Sequence, residues 1–226
     1  MKENKRLFWV VSVMLMVLTL YTLTGCSLGG ETIPKNRTKE QYEFEKTFEP
    51  IFKFLEQDKK EFNGLKLYKN SIYIESGNVV KDYKVFLDTS QSDIKGDYTI
   101  KIGDNKETVP VTYSNGRLQY ESKLEPLFDE EILNLVVQRD YFASLNIKET
   151  FKSAETELRD IIYEPENHSD LYKYLKNKYD MPEDTTCRIR VRYSSGTIYG
   201  ISILMESRDE AVQIDLTIFK QREDNQ

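Results

Sequence analysis

The sequence predicts an α+β fold: an antiparallel β-sheet, built as meander hairpins in the N-terminal and C-terminal parts of the chain, packed against several α-helices. Three observations predict it. Segments near residues 65–120 and 186–219 alternate apolar and polar side chains and are punctuated by Gly103, Asn115-Gly116 and Ser195-Gly196, the turn residues of antiparallel hairpins. Between them, from about Pro126 to Tyr179, apolar residues recur at helical spacing. The repeated βαβ units of a parallel sheet, which a large solute-binding protein would need, do not occur. With 39% hydrophobic and 12% aromatic residues, the 226-residue chain has material for one substantial core.

The elements begin with an N-terminal leader. Lys2, Lys5 and Arg6 stand against the single acid Glu3, and positive charge ahead of an apolar run stays on the cytoplasmic side. Leu7 to Leu23 follows without a charge, about as long as the shortest segments that cross the hydrocarbon of a bilayer. Directly after it come Leu23, Thr24, Gly25 and Cys26: an aliphatic residue, two small residues and a cysteine. This resembles the lipobox of bacterial lipoproteins. The resemblance implies that Leu23, Thr24 and Gly25 are read by a dedicated signal peptidase, which cuts before Cys26 once its thiol carries diacylglycerol. Lipid on Cys26 would hold the protein on the extracytoplasmic face of the cell membrane, since two acyl chains anchor stably where one does not. The expected organisation is a signal peptide over 1–25, a lipidated flexible tether over 26–37, and a single α+β extracytoplasmic domain over 38–226. The tether, with Gly29, Gly30 and Pro34 and no apolar period, would span roughly 20 Å as a random coil.

Charge narrows the partners. Loss of Lys2, Lys5, Arg6 and Glu3 with the leader leaves 29 basic against 37 acidic residues, a formal charge of −8. Nucleic acid, whose phosphates call for compensating Lys and Arg, is not an expected partner, nor is a flat bed of anionic lipid. Of the two cysteines Cys26 is consumed by lipid, so Cys187 has no intramolecular disulfide partner and the fold must stand on packing. Cys187 alternates with Ile189, Val191 and Tyr193, which predicts an inward-facing thiol.

Within the domain, Thr38 and Gln41 form a T-x-x-Q capping box ahead of Tyr42, Phe44, Phe48, Ile51, Phe52 and Leu55 at helical spacing. A first helix is expected to about Phe62, kinked or broken at Pro50 and stopped by Asn63-Gly64. Strands are expected over Leu65 to Ile74, Tyr83 to Leu87, and on either side of a two-residue Asn115-Gly116 loop that pairs Tyr113 with Leu118 and Val111 with Tyr120. Tyr98, Ile100 and Ile102 match Tyr113, Val111 and Val109 respectively if the loop around Gly103 to Thr108 holds an even number of unpaired residues. Helices are then expected at Phe128, Ile132, Leu135 and Val136, and at Ile147, Phe151, Leu158 and Ile161. A third begins near Ser169, carries Leu171, Tyr172, Leu175 and Tyr179 on one face, takes Asn167 as cap and exits at Pro182.

The last three strands can be registered by parity. A two-residue Ser195-Gly196 loop would set Arg188, Arg190 and Arg192 among Ile203, Ile201 and Tyr199. An odd Ser194-Ser195-Gly196 loop instead pairs Val191 with Tyr199, Ile189 with Ile201 and Cys187 with Ile203. An even loop centred on Arg208-Asp209 then sets Ile203 against Ile214 and Ile201 against Leu216. The opposite face gathers Arg188, Arg190 and Arg192 beside Gly200 and Ser202, with Gln213, Asp215 and Thr217 on the third strand. Three arginines on one strand of an acidic protein are the candidate partner-binding residues, able to grip carboxylates or phosphates in bidentate fashion, with Asp215 beside them. Ion pairing to Asp215 and nearby Glu on a solvated face is the plainer account.

No catalytic signature accompanies them. The one histidine, His168, has no second histidine for a metal motif. There is no G-x-S-x-G elbow, and pairing Cys187 with His168 would need the thiol to leave its inward face. The sequence therefore points to a non-enzymatic protein without metal or cofactor beyond the lipid on Cys26. Its expected role is a binding module at the cell envelope with a protein partner, in a sharper form an immunity or exclusion protein against a secreted toxin or mobile element. The alternative is a ligand-binding protein or enzyme acting on wall or lipid precursors.

Overall fold

The structure is a computed structural model that describes residues 33–56, 62, 64–124, 139–153, 155–167 and 169–220. The chain divides into two units, 1–33 and 34–226, and everything below concerns the second. The leader, Cys26, the expected helix around Phe128 to Val136, and His168 lie outside the described residues.

The capping box forms as the sequence predicts: Gln41 N–H donates to the Thr38 hydroxyl, and Thr38 N–H to the Gln41 side chain, at 3.1 and 3.0 Å. Helix α1 runs Lys39–Glu45, passes through a single 3-10 turn at Lys46–Phe48, and restarts as α2, Glu49–Leu55, with Pro50 in its first turn. Proline lacks a backbone N–H, so it is tolerated where no helical partner exists, and the break sits just ahead of it. Helix α2 ends at Leu55 rather than near Phe62. Its C-cap is Glu56, and its buried face is Ile51, Phe52, Phe54 and Leu55; residues 57–61 of the expected helix lie outside the described residues.

Ten antiparallel strands make up the sheet among the described residues. β1 (Leu65–Ser76), β2 (Val79–Asp88), β3 (Lys95–Ile102), β4 (Asn105–Ser114) and β5 (Arg117–Gln119) form one meander. β6 (Ile147–Lys152), β7 (Arg159–Tyr163), β8 (Thr186–Ser194), β9 (Ile198–Glu206) and β10 (Glu210–Lys220) form the other. The spatial order is β5-β4-β3-β2-β1-β10-β9-β8-β7-β6. A single non-local pairing, β1 against β10 from Leu67 opposite Phe219 to Ser76 opposite Glu210, joins the two meanders.

Turn parity holds, but two of the registers differ from those expected. Asn115 and Gly116 both take positive φ, as a two-residue type I′ turn requires, and Tyr113 faces Leu118. β5 stops at Gln119, so Tyr120 is not paired with Val111; its ring instead meets Tyr98 edge-on at 5.0 Å. The β3–β4 loop is even, but it consists of Gly103 and Asp104 alone, so Ile102 lies opposite Asn105 and Tyr98 opposite Val109. The β8–β9 loop is odd, but it is Ser195-Gly196-Thr197, one residue later than the sequence suggested. The pairs are Val191 with Ile201, Ile189 with Ile203 and Cys187 with Met205. Both Ser195 and Gly196 adopt left-handed dihedrals, Thr197 is the residue left over, and the slide brings Tyr193 against Tyr199, ring centroids 5.2 Å apart. The β9–β10 register is as predicted: Ile203 opposite Ile214 and Ile201 opposite Leu216.

Two corrections concern helices. Residues Ile147 to Ile161 form no helix but the β6–β7 hairpin, with Glu157 at φ +52° in its turn. The spacing of Ile147 and Phe151 imitated a helical face, yet Phe151 is 49% exposed, whereas Ile161 and Tyr163 alternate inward on β7. The short helices α3 (Arg139–Ser144) and α4 (Asp170–Lys178) are the others described, so among the described residues the antiparallel sheet is as expected and dominates, with fewer helices beside it than several implies. The cap of α4 is Ser169, whose hydroxyl accepts from Tyr172 N–H at 3.3 Å, not Asn167; Ser169 immediately precedes the helix and so reaches the third helical N–H.

One face of the sheet is the core. Tyr68, Ile72, Tyr83, Val85, Leu87, Tyr98, Ile100, Ile189, Val191, Ile203, Val212 and Ile218 are buried on it with Phe48, Ile51 and Phe52 of the helical segment. Aromatic contacts run from Phe142, 4.8 Å from Phe52 and 5.2 Å from Tyr163, to Phe62, which meets Tyr68 and Tyr113. Gly96 is required by this sheet: a Cβ there would lie 1.7 Å from the Phe86 carbonyl oxygen.

A buried ion pair ties the helices to β7. Arg37 and Glu45 have fully buried side chains and meet through two hydrogen bonds of 3.3 and 3.2 Å. The guanidinium also donates to the carbonyls of Asn36, Phe142 and Leu145, and the Tyr163 hydroxyl donates to Glu45 at 2.5 Å. Every charge is answered at short range, which is what makes such burial tolerable.

Candidate functional site

Because side chains alternate along a strand, the residues between the core positions of β7, β8, β9, β10 and β1 all point to the other face. The registers place them in cross-strand rows. Arg190, Ser202, Asp215 and Ser71 form one row, and Arg192, Gly200, Thr217 and Lys69 the next. Arg188, Leu204, Gln213 and Tyr73 form the third. The sequence-predicted Arg188, Arg190, Arg192 and Asp215 are thus brought onto one face.

Their ion pairs are those the sequence suggested only in part: Arg188 does meet a nearby Glu, but Asp215 is not the arginines' carboxylate. Asp160 on β7, one strand beyond β8 and opposite Arg192, takes a bidentate grip from Arg192, with Nε and Nη2 each 2.9 Å from a carboxylate oxygen. Arg190 reaches the same carboxylate only at 4.0 Å, and Arg188 pairs with Glu206 on β9 at 3.1 Å. Asp215 accepts from the Gln213 side chain at 2.8 Å instead of pairing with an arginine. The hydrogen bond to Asp160 first, and the charges of Asp160 and Asp215 after it, push the Arg192 guanidinium above its already high ordinary pKa, against the opposing effect of partial burial. The three arginines are therefore unequal: Arg192 is committed to Asp160, Arg188 to Glu206, and Arg190, 49% exposed, is held only loosely.

A depression of about 260 Å³ opens on this face between β8 and β1. Gly200 and Ser202 form its floor because they rise least above the backbone; Arg190 and Arg192 wall it on one side, Lys69 on the other, and Asp215 and Thr217 stand between. Ser71 lines it while only 8% exposed. Gly200 is not demanded by packing, since a Cβ there would meet nothing closer than the Leu216 carbonyl oxygen at 3.5 Å. A strand glycine without a packing reason keeps the surface low, as at sites where something else approaches.

Sequence reasoning missed Asp160, Lys69 and Ser71. Asp160 was hidden by the helical reading of its segment, although its alternation with the apolar Ile161 was a signal. Lys69 and Ser71 depend on the β1–β10 pairing, which no local pattern announces.

Cys187 lies on the core face as expected, and burial pushes its thiol up to about 12. Among the described residues no cluster of His, Cys, Asp and Glu is arranged to hold a metal ion, and no helix is long and apolar enough to cross a membrane. The residues expected to carry lipid and to guide cleavage, Cys26 and Leu23 to Gly25, lie outside the described residues.

No family model matches the chain, and no curated protein matches it. Among solved structures, an N-terminal dehydratase from the difficidin assembly line is similar over 78% of this chain and 85% of that chain, at 9% identity and a TM-score of 0.18. A likeness at that score carries no argument about fold or activity.

Proposed function

We propose that the protein is an envelope lipoprotein, held on the extracytoplasmic face of the cell membrane by lipid on Cys26, whose domain binds a partner through the open face of β8, β9, β10 and β1. The anchoring is supported by the Leu23-Thr24-Gly25-Cys26 sequence after an uncharged run. The binding role is supported by one observation above all: a basic depression with a loosely held Arg190 on the open face of a sheet in a chain whose net charge is negative. In this reading the partner is a component of the envelope, a protein in the first instance, whose anionic groups, carboxylate or phosphate, meet the arginines, and the lipid raises the local concentration of both at the membrane. An immunity or exclusion role is its sharper form, with the partner a secreted toxin or a component of an incoming element. No metal or cofactor is needed for such work.

Two measurements test it. Intact-mass analysis of protein from its own membranes should give a polypeptide beginning at Cys26 with diacylglycerol attached; an unmodified mass removes the anchor. Affinity capture from the same membranes should recover a partner with the wild-type chain and lose it with Arg190→Glu. Retention of that partner by the charge-reversed chain removes the open face as the contact surface.

A further inference from the structure

The floor and walls of the depression specify a ligand chemistry. Its cations stand on opposite sides: Arg190 on β8, loosely paired, and Lys69 on β1, whose ammonium has no ion-pair partner among the described residues. Four adjacent strands separate these walls by about 14 Å of backbone, a span that long side chains can close over one small group. Between them the hydroxyls of Ser202, Ser71 and Thr217 make no side-chain hydrogen bond among the described residues, and Ser71 is more than nine-tenths buried. Each hydroxyl is therefore open to bond a group seated between the two walls.

A planar carboxylate offers its oxygens along one edge and would satisfy one wall. A tetrahedral phosphate directs oxygens to both walls and to the floor at once. Asp215, set among these donors, opposes a second negative charge, and so does the negative charge of the whole chain. It also asks for a donor on the ligand. We propose that the depression binds a singly charged phosphodiester bearing a hydroxyl or ammonium group next to the phosphate. The phosphate lies between Arg190 and Lys69 over the serine hydroxyls, and the neighbouring donor meets Asp215. This inference rests on the open face being the contact surface and names what that face grips. The chemistry is shared by glycerophospholipid headgroups and by polyol-phosphate polymers of the envelope.

The test uses the full-length lipidated protein in uncharged detergent, titrated calorimetrically with glycerophosphoglycerol, inorganic phosphate and an acidic peptide. Glycerophosphoglycerol should bind saturably with a Kd of about 1 mM, the strength a few hydrogen bonds to one small charged group provide. Arg190→Met and Lys69→Met should each weaken it about tenfold, the worth of one charge-assisted contact. Gly200→Val raises the floor at a position where a Cβ meets only ordinary contacts, so the fold should survive, by circular dichroism, while binding is lost. Asp215→Asn should shift preference from the diester toward inorganic phosphate. Dispersed short-chain phosphatidylglycerol and an oligomeric glycerol phosphate, titrated in the same detergent, distinguish the sources: tighter binding of the first assigns it to lipid, and tighter binding of the second to a polymer. Absence of saturable diester binding, or binding that Arg190→Met and Gly200→Val leave unchanged, overturns the proposal. If the acidic peptide binds instead, or membrane capture of a protein still depends on Arg190, the contact face survives and only the phosphodiester assignment falls.

Discussion

Substituting Arg37 by methionine removes one half of a charge pair whose two side chains are fully buried. Methionine roughly preserves the length and apolar stem of the arginine, so the loss is electrostatic rather than a cavity. It leaves the Glu45 carboxylate with the Tyr163 hydroxyl, 2.5 Å away, but without the guanidinium that offered two hydrogen bonds, and it strips donors from the carbonyls of Phe142 and Leu145, held at 2.7 and 2.5 Å. Breaking a buried pair from one side costs about 3–5 kcal/mol, because the surviving charge stays desolvated. Against a total stability of about 5–15 kcal/mol that is a large share. At about 2–4 °C per kcal/mol for a domain of this size, the midpoint of thermal unfolding should fall by about 10 °C. Urea denaturation followed by far-ultraviolet circular dichroism measures the stability loss; tryptophan fluorescence cannot serve, since the one tryptophan, Trp9, lies in the unit 1–33 and not in the domain. The double variant Arg37→Met, Glu45→Leu removes both charges and should regain part of the loss, which separates an orphaned charge from poor packing. A cost below about 1 kcal/mol for Arg37→Met, within the range of an exposed pair, would refute the account of the network as a desolvated tie.

Gly96→Ala should destabilise by about 3 kcal/mol or more in the same assay, since its Cβ would press into the Phe86 backbone at 1.7 Å, while Gly200→Ala should be neutral or slightly stabilising. Arg188→Ala should change stability by no more than about 0.5 kcal/mol, because its pair with Glu206 is half exposed on both sides. Burial raises the Cys187 thiol to about 12, so its neutral form is the folded one, and below the ordinary thiol pKa both states are protonated and nothing changes. Above that value the unfolded chain releases the proton first, so stability should fall by about 1.4 kcal/mol per pH unit until the folded thiol itself ionises. Tyr68, raised by burial in the same sense, adds to the decline at still higher pH. Urea midpoints at pH 8 and above pH 10 check the slope, and Cys187→Ala should flatten it; a thiol reagent that labels native Cys187 as fast as the unfolded chain would contradict the burial.

Local chemistry made most of the C-terminal meander legible. Arg208-Asp209 sits at the centre of an even turn, and with that turn fixed the alternation of Ile201, Ile203, Ile214 and Leu216 brings all four to one face. Parity alone could not choose between odd loops that differ by one step, and the stacking of Tyr193 on Tyr199 favours the later one. The β6–β7 hairpin was unreadable for a different reason: β6 is an edge strand with five of its six residues exposed, so it carries no inward period against which a chance helical spacing could be rejected. At the candidate site the arginine row was visible because it alternates with apolar residues on one strand. Its true partner Asp160 and the opposite wall at Lys69 come from β7 and β1, distant in sequence, and distance along the chain is what alternation does not encode.

The β1–β10 pairing also bears on how the molecule can be made. Each meander can zip from hairpin to hairpin as it emerges, but β1, the first strand to form, keeps one flank of amide and carbonyl groups unmatched until β10 arrives, more than a hundred residues later. For that interval the middle of the future sheet is a raw edge, open to pairing with any extended segment nearby. A chain cut just before residue 210 would therefore not be a protein with a shortened end, but two half-sheets that no strand joins, held only through the helical segment packed on both.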